Sequence, residues 1–417
     1  MRRLELELEL LLLAVHDDAI DGGGIAVAGH DVQGAGVIHR ICVVVEVMMA
    51  AGYGMECVST FKSSRAEFAG IVHHLLGFSL SQHAHFHKLT WDDVDGKVQS
   101  WRTAAGFMFS VALSGERMLC HRVFAADKAV VDNVFASITS DHAADLLAVT
   151  EAAVARTLRV LERLLHVLDV HATLDEILPA IMCVLGDKSE VATRATAALR
   201  NAGEAARATL ASFEKAIQKV TSKAIAPGGS VHPLTGYVMN YLVFLANYDD
   251  TLARVNQETH TAGSARALSD SPSSSNAIAR LVSVLLRKLD AMTGRYRSPA
   301  LRSLFMANNT HYVVKKVRGS GKLEGILGED WMETRTAEAR GHVDACVRVA
   351  WRDVLVGSGE GADSVARGAV GAQRTWVAAD DKMGDVVRAA TAAARQILAV
   401  RRCDAIVCVS PQRLPQT

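Results

Sequence analysis

The sequence predicts an all-α protein that is assembled from amphipathic helices and has no significant β-sheet. Its composition supports this prediction, because helix-favouring residues dominate while aromatic residues make up only 5% and prolines number seven. Between Ile41 and Val400, apolar residues recur at spacings of three and four, and no convincing strand pattern or fixed-period repeat is found. With 417 residues, the chain is long enough for two or three structural units.

Residues 1–40 do not fit this helical pattern, and we expect them to form an atypical, poorly ordered leader. Glycines crowd the stretch around Gly22–Gly24, where no helical period is visible. Arginines before leucines are typical of a signal peptide, but glutamates interrupt the leucines and Leu10–Val15 is too short for a signal-peptide core. The sequence therefore indicates a cytosolic protein.

Two long helices are predicted next. The first starts at Thr90, a good N-cap that is followed by two aspartates, whose negative charge favours a helix N-terminus. Its apolar positions are Val94, Val98, Trp101, Ala105, Met108 and Ala112. The second begins where Asp187 and Glu190 resemble a capping box, and it extends to Val220.

A further helix begins near Pro233, since a proline at the first helical position loses no hydrogen bond. It carries the clearest apolar stripe in the chain, which predicts a buried core face rather than a cofactor site. The stripe consists of Tyr237, Tyr241, Phe244, Leu245, Tyr248 and Leu252.

A Ser-, Thr-, Ala- and Gly-rich stretch at 258–276 predicts a loop. It divides the helical part of the chain into a first segment, 41–257, and a basic C-terminal segment, 277–417. Helices of the second segment are predicted at Ala277–Met292, Pro299–Val317, Trp331–Val356 and Asp380–Val400. The short run Ile406–Val409 fits either a strand or a helix end.

Charge and cysteine content exclude several classes of protein. The 45 basic and 45 acidic residues give a formal net charge of zero, which excludes a globally basic nucleic-acid binder and an acidic disordered chain. Seven scattered cysteines without a CxxC pair argue against a disulfide framework or a zinc ribbon, so a reducing compartment fits. No apolar run approaches the roughly 18 residues that span a bilayer.

The zero net charge hides an asymmetry along the chain. Residues 280–417 carry a balance of +8 and the preceding part carries −8. Between Ala291 and Leu323 the chain has no acidic residue and seven basic ones: Arg295, Arg297, Arg302, Lys315, Lys316, Arg318 and Lys322. These residues form either a solvated face with partners on neighbouring helices or a contact for an anionic membrane or an acidic partner.

Two motifs suggest other chemistry but do not support it. Alternating histidines at 83, 85 and 87 need an extended backbone to face one way, and they lack a nearby cysteine or carboxylate ligand. Gly319–Lys322 looks like part of a phosphate loop, but Lys316 replaces the first glycine and Leu323 replaces the magnesium-binding Ser or Thr. With no catalytic constellation in view, we expect neither an enzyme nor a cofactor, and a metal-dependent enzyme is the disfavoured alternative.

Several segments of the chain are specific enough in sequence for comparison with known families: Met49–Gly54, Val231–Leu242, Asn247–Leu252, Leu304–Val317 and Leu327–Trp331. Together they resemble the seventy-kilodalton subunit of the exocyst in its plant form. Their order and spacing match that family over roughly Val45 to Leu414.

The resemblance implies a fold and a function that the composition does not reveal. Members of the family are elongated rods of stacked helical bundles, similar to cullin repeats. They belong to the octameric exocyst, which tethers secretory vesicles to the plasma membrane. The resemblance therefore implies a peripheral membrane protein that contacts other exocyst subunits, Rho-type small GTPases and phosphatidylinositol 4,5-bisphosphate, with no nucleic-acid partner.

The sequence departs from the family at both ends. We expect the N-terminal coiled-coil segment of the family to be absent or replaced by residues 1–40, and the last bundle to be trimmed. The family's C-terminal lysines are replaced within Ala405–Val409, so anionic-lipid binding would depend on Arg401, Arg402 and the basic residues between Ala291 and Leu323. The alternative is a helical protein-interaction scaffold that is detached from the complex.

Overall fold

The structure, a computed structural model, describes residues 2–21, 32–65, 91–157, 164–221, 226–262 and 276–356, and six positions beyond residue 377. Every regular element in these ranges is helical and none is a strand, so the all-α prediction is confirmed. Most of the predicted helix Asp380–Val400, all of the run Ile406–Val409 and the histidines at 83–87 lie outside the described residues.

The helices are numbered here along the chain. They are α1 Arg2–Asp21, α2 Val32–Ala50, α3 Gly54–Ser64, α4 Trp91–Phe107, α5 Leu113–Val123, α6 Lys128–Thr157, α7 Leu164–Leu185, α8 Glu190–Lys219, α9 Pro233–Leu245, α10 Asp249–Ala262, α11 Ala277–Thr293, α12 Pro299–Arg318, α13 Gly321–Leu327 and α14 Glu329–Val356. A π-helical turn, Met108–Ala112, joins α4 to α5, and 3₁₀ turns lie at Pro227–Gly229 and Ala246–Tyr248.

The chain forms two compact units. Unit 1 comprises Met1–Leu210 and Val255–Thr259, and unit 2 comprises Ala211–Arg254 and His260–Thr417. The segment boundaries predicted at residues 40, 257 and 276 remain a prediction.

The described part of residues 1–40 corrects the expectation of a poorly ordered leader. Leu8, Leu11 and Leu12 of α1 are buried against α2 and α3 in the core of unit 1. An ion pair of 3.2 Å joins Arg40 of α2 to Glu7 of α1. Leucine and glutamate alternate in this stretch, which is not a helical pattern. Leucines three and four residues apart nevertheless lie on one face of the helix, and that face is buried.

The helix predicted from Thr90 contributes a second wall of the same core. Val98, Trp101 and Ala105 are buried as the spacing predicted, and the indole Nε1–H of Trp101 donates to the carbonyl of Leu146 at 2.9 Å. Met108, also buried, begins the π-helical turn. The predicted apolar face is therefore confirmed, although the backbone changes its winding along it.

The start of α8 differs in detail from the predicted capping box. Ser189 provides the cap, since its Oγ accepts a hydrogen bond from the backbone N–H of Ala192 at 3.1 Å. Asp187 lies exposed two residues earlier. Serine and aspartate are both good N-caps, and only the backbone geometry selects between them.

The aromatic stripe of α9 is only partly buried, which corrects the predicted core face. Tyr237 is 54% exposed and Phe244 is 59% exposed, whereas Leu245 is fully buried. The helix buries a face that is rotated from the stripe and consists of Thr235, Val238, Met239, Leu242 and Leu245. Tyr237 and Tyr241 instead cover the edge of Phe213, with ring centroids 6.4 and 5.0 Å apart.

Candidate functional site

The candidate basic residues lie on and around α12, the central helix of unit 2. All seven residues from Leu304 to Thr310 are buried, so this stretch of the helix is covered around its whole circumference. Ala300 and Leu304 pack with Cys346 of α14, and Ala307 packs with Val343. Because the earlier residues of α12 meet the later residues of α14, the two helices run antiparallel.

Buried asparagines fasten α12 to the segment before α9. The side-chain oxygen of Asn309 accepts hydrogen bonds from the backbone N–H of His232 at 2.9 Å and from the hydroxyl of Thr235 at 2.6 Å. Its amide nitrogen donates to the carbonyl of Phe305 at 2.7 Å. Asn308 donates to the carbonyl of Gly229 at 2.6 Å. Both asparagines are fully buried, so the bonds satisfy groups that water cannot reach.

The backbone segment before α9, which takes part in these hydrogen bonds, makes a tight turn. Gly228 and Gly229 have φ angles of 62° and 73°, in the region that favours glycine. A Cβ at Gly229 would lie 3.3 Å from Cγ of Leu304, so glycine also allows the close approach of the turn to α12.

Three candidate basic residues lie at the N-terminal end of α12 and are called the N-terminal basic group: Arg295, Arg297 and Arg302. Arg295 and Arg297 are exposed on either side of the buried Tyr296. The Nε–H of Arg302 donates to the carbonyl of Tyr296 at 2.8 Å, which ties this arginine to the turn. Burial, with a smaller contribution from the positive charge of Arg295, lowers the pKa of His232. Arg302 therefore has a structural role in unit 2.

Tyr296 anchors this turn through a buried hydrogen bond. Its hydroxyl donates to the carbonyl of Ala226 at 2.8 Å, and its ring lies 5.3 Å from that of Phe305. Burial raises the pKa of Tyr296 to about 12. The folded protein therefore holds the phenolic proton more tightly than the unfolded chain, whose tyrosine pKa is about 10.

The free energy of unfolding at alkaline pH is expected to depend on the protonation of Tyr296. The stabilisation is fully present below about pH 10 and is lost as the pH rises through about 12, which removes about 2–3 kcal/mol from the free energy of unfolding. Tyr296→Phe lacks the group, so it should start about 1–2 kcal/mol less stable at neutral pH and show a smaller alkaline loss. Chemical denaturation of both proteins across this range tests the prediction, and parallel profiles would contradict it.

The other four candidate residues lie at the end of α12 and the start of α13 and are called the C-terminal basic group: Lys315, Lys316, Arg318 and Lys322. Three of them, Lys315, Arg318 and Lys322, are exposed and form no ion pair within the described part of the chain. Lys316 is half-buried, with its Nζ 5.9 Å from the centre of the Tyr312 ring. Three of the four lie in the last turn of α12, where positive charge stabilises the helix dipole.

Three exposed carboxylates follow the C-terminal basic group along the chain. Glu324 lies in α13, and Glu329 and Asp330 lie in the first turn of α14. None of them pairs with the basic residues within the described part of the chain. Among the described residues, neighbouring helices therefore supply no ion partner for Lys315, Arg318 or Lys322.

The structure does not bring the seven basic residues together. Arg302 and Lys315 are thirteen residues apart on one helix, which places them about 20 Å apart along its axis. A compact ligand such as a single lipid headgroup can therefore contact one group or the other, but not both. We take the C-terminal basic group as the candidate functional site, because three of its charges are exposed and form no ion pair among the described residues.

The remaining candidate features from the sequence either lie outside the described residues or have no matching site within them. Arg401 and Arg402 lie outside the described residues. No three potential metal ligands gather in the part of the chain that the structure describes. No described helix has both the length and the apolarity needed to cross a bilayer.

Comparison with known proteins identifies a family that this chain matches. The family model that describes the C-terminal region of Exo70, an exocyst complex subunit, matches residues 99–356. Among curated proteins of Arabidopsis thaliana, the exocyst complex component EXO70C2 is 30% identical over 326 residues, which are 75% of this chain and 45% of that protein. EXO70A1 is 28% identical over 354 residues, 81% of this chain and 54% of that protein. The chain thus spans about half the length of the curated relatives it matches.

Solved structures show a similar fold at much lower sequence identity. A structure of S. cerevisiae Exo70 superposes with a TM-score of 0.66 and 10% identity, covering 93% of this chain and 78% of that one. A crystal structure of the S. cerevisiae exocyst component Exo70p gives a TM-score of 0.53 and 11% identity, covering 94% and 92%. At these identities the likeness concerns the fold alone.

Proposed function

This chain belongs to the Exo70 family of exocyst complex subunits, since the family model covers more than half of its residues, and on that premise we propose that it tethers secretory vesicles at the plasma membrane as an exocyst subunit. Its partners are then other exocyst subunits, and Rho-type small GTPases are further candidates. The family consists of tethering subunits rather than of known enzymes, so no catalytic step is proposed.

The membrane contact that we propose is electrostatic and involves the C-terminal basic group. The observation that carries it is the exposure of Lys315, Arg318 and Lys322 without ion partners in the described part of the chain. A basic residue near an anionic lipid surface contributes about 1 kcal/mol, so this group supports weak, salt-sensitive binding. Phosphatidylinositol 4,5-bisphosphate is the proposed ligand because its headgroup concentrates negative charge.

Charge reversal tests this contact. The variant Lys315→Glu/Lys322→Glu is expected to bind vesicles containing phosphatidylinositol 4,5-bisphosphate at least about tenfold more weakly than the unaltered chain, because two positive charges are replaced by two negative ones on one surface. Co-sedimentation with vesicles at about 0.15 M salt measures the binding.

The matched control is Arg287→Glu/Arg297→Glu, which changes the net charge equally at residues outside the C-terminal basic group. It should bind nearly as well as the unaltered chain. Equal binding of the unaltered chain to neutral and phosphoinositide vesicles would refute the lipid contact. Arg401→Glu/Arg402→Glu measures separately what the undescribed C-terminal arginines contribute.

Assembly is tested by co-precipitation with other exocyst subunits. Recovery of the complex supports the role of a subunit. Failure to recover it, with membrane binding intact, would favour a helical interaction scaffold that acts outside the complex.

A further inference from the structure

Ser320 occupies the short connection between α12 and α13, in the middle of the C-terminal basic group. Its side chain is partly exposed, and its Oγ accepts a long hydrogen bond of 3.4 Å from the backbone N–H of Leu323. Because the hydroxyl accepts in this bond, its proton remains available for transfer. The membrane contact proposed above does not require this serine.

Basic residues surround Ser320 on both sides. Arg318 stands two residues before it and Lys322 two residues after it, while Lys315 and Lys316 lie five and four residues before it. Kinases select substrates partly by the charge pattern around the acceptor hydroxyl, so this arrangement suits an enzyme with an acidic substrate groove. Three of these four charges are exposed, which makes them available for recognition.

The local structure around Ser320 opens at low cost. The helix that follows it, α13, has seven residues, and Leu323 is its one buried residue. Gly321 and Gly325 weaken this helix further, because glycine loses more backbone entropy on ordering than other residues. Segments with few buried contacts open locally far more often than the core does, so a kinase can bind this segment in an extended form.

We propose that Ser320 is a phosphorylation site for a basic-directed Ser/Thr kinase, and that its modification releases the C-terminal basic group from anionic membranes. The second half rests on the membrane contact proposed above. In the reaction, Oγ of Ser320 attacks the γ-phosphorus of ATP, the bond to the β-phosphate oxygen breaks, and the hydroxyl proton passes to the kinase base. The products are phosphoserine and ADP.

The expected effect follows from charge. A phosphate brings about −1.5 to −2 charges, which offset about half of the four positive charges around it. It also offers acceptor oxygens to Arg318 and Lys322, which are then less free to contact lipid. Binding to phosphoinositide vesicles should therefore weaken by about 10- to 30-fold.

The site itself is tested first, without any membrane. The full chain is incubated with the catalytic domain of protein kinase C and Mg-ATP, and phosphate is located by peptide mass spectrometry. A synthetic peptide of residues 314–326 serves as the reference substrate, and Ser320→Ala and Ser298→Ala are the matched variants. Ser298 is a useful control because it is also a helix cap with arginines before it, outside the C-terminal basic group.

Phosphate on Ser320 in the unaltered chain and in Ser298→Ala, but not in Ser320→Ala, supports the assignment. Modification of the peptide without modification of the folded chain would overturn it. Vesicle binding of the modified and unmodified chains then tests the release. Unchanged binding after full modification would overturn the release, whereas absence of binding before modification would count against the membrane contact and leave the assignment of Ser320 intact.

Discussion

Replacing Asn309 by alanine is expected to lower the free energy of unfolding of unit 2 by about 3–5 kcal/mol. The substitution removes the acceptor of two buried donors, the backbone N–H of His232 and the hydroxyl of Thr235, and the donor to the carbonyl of Phe305. A buried polar group without a partner costs about 1–3 kcal/mol, and the three losses are expected to overlap in part.

Chemical denaturation followed by circular dichroism measures this loss. Asn240→Ala is the matched control, because Asn240 is exposed on α9, and it should change the stability by less than about 0.5 kcal/mol. A double-mutant cycle with Thr235→Val isolates one bond of the network, since removing the hydroxyl should cost less once its acceptor is gone. A loss below about 1 kcal/mol for Asn309→Ala would show that the network is not a main support of unit 2.

The second large effect is expected in unit 1, where Glu116→Ala should cost about 3–5 kcal/mol. Arg65 and Glu116 are both buried and form two hydrogen bonds, one of them from Nε of Arg65 to Oε2 at 3.2 Å. Burial lowers the pKa of Arg65, which means that the surroundings already disfavour its charge. Without the carboxylate, a guanidinium would remain buried and unpaired.

Removing both charges should be far less harmful than removing one. Nη1 of Arg65 is buried without a hydrogen-bond partner among the described residues, so the pair is imperfectly satisfied. Arg65→Met/Glu116→Met is therefore expected to lie within about 1–2 kcal/mol of the unaltered chain or above it. The control is Glu7→Ala, which removes the exposed ion pair with Arg40. It should lower the free energy of unfolding by less than about 1 kcal/mol. A double variant as unstable as Glu116→Ala would contradict the prediction.

Helices of unit 2 with clear signals at their ends could be predicted closely from the sequence. The predicted start of α11 and of α12 agrees with the structure, because Asn276 and Ser298 supply caps and Pro299 fits only the first turn. The body of α14 was predicted to begin at Trp331 and begins at Glu329. These features are local, so the sequence alone determines them.

Features that depend on contacts between helices could not be predicted from the sequence alone. Helix α9 has apolar residues on two faces, and the sequence could not decide that Val238 and Met239 would be buried while Phe244 would be exposed. Tyrosine tolerates both environments because its ring is apolar and its hydroxyl is polar, so the aromatic spacing was a weak guide.

The sequence predicted how many basic residues the candidate region contains, but not how they are distributed over the surface. The sequence showed seven basic residues without an acidic one, yet their division into two groups follows from the length of α12 between them. The bonds of Asn308 and Asn309 were missed altogether. Two adjacent asparagines inside an apolar helix were the available signal, because buried amides need partners.

The hydrogen bonds that join α12 to the segment before α9 can form only after α12 has been synthesised. They join residues that are 70 to 79 positions apart in the chain, among them Tyr296 with Ala226 and Asn308 with Gly229. At translation rates of about 5–20 residues per second, the segment before α9 waits about 4–15 s for α12 to leave the ribosome. During that interval the buried face of α9 lacks the cover that α12 provides, so a nascent chain stalled there is a natural client for chaperones.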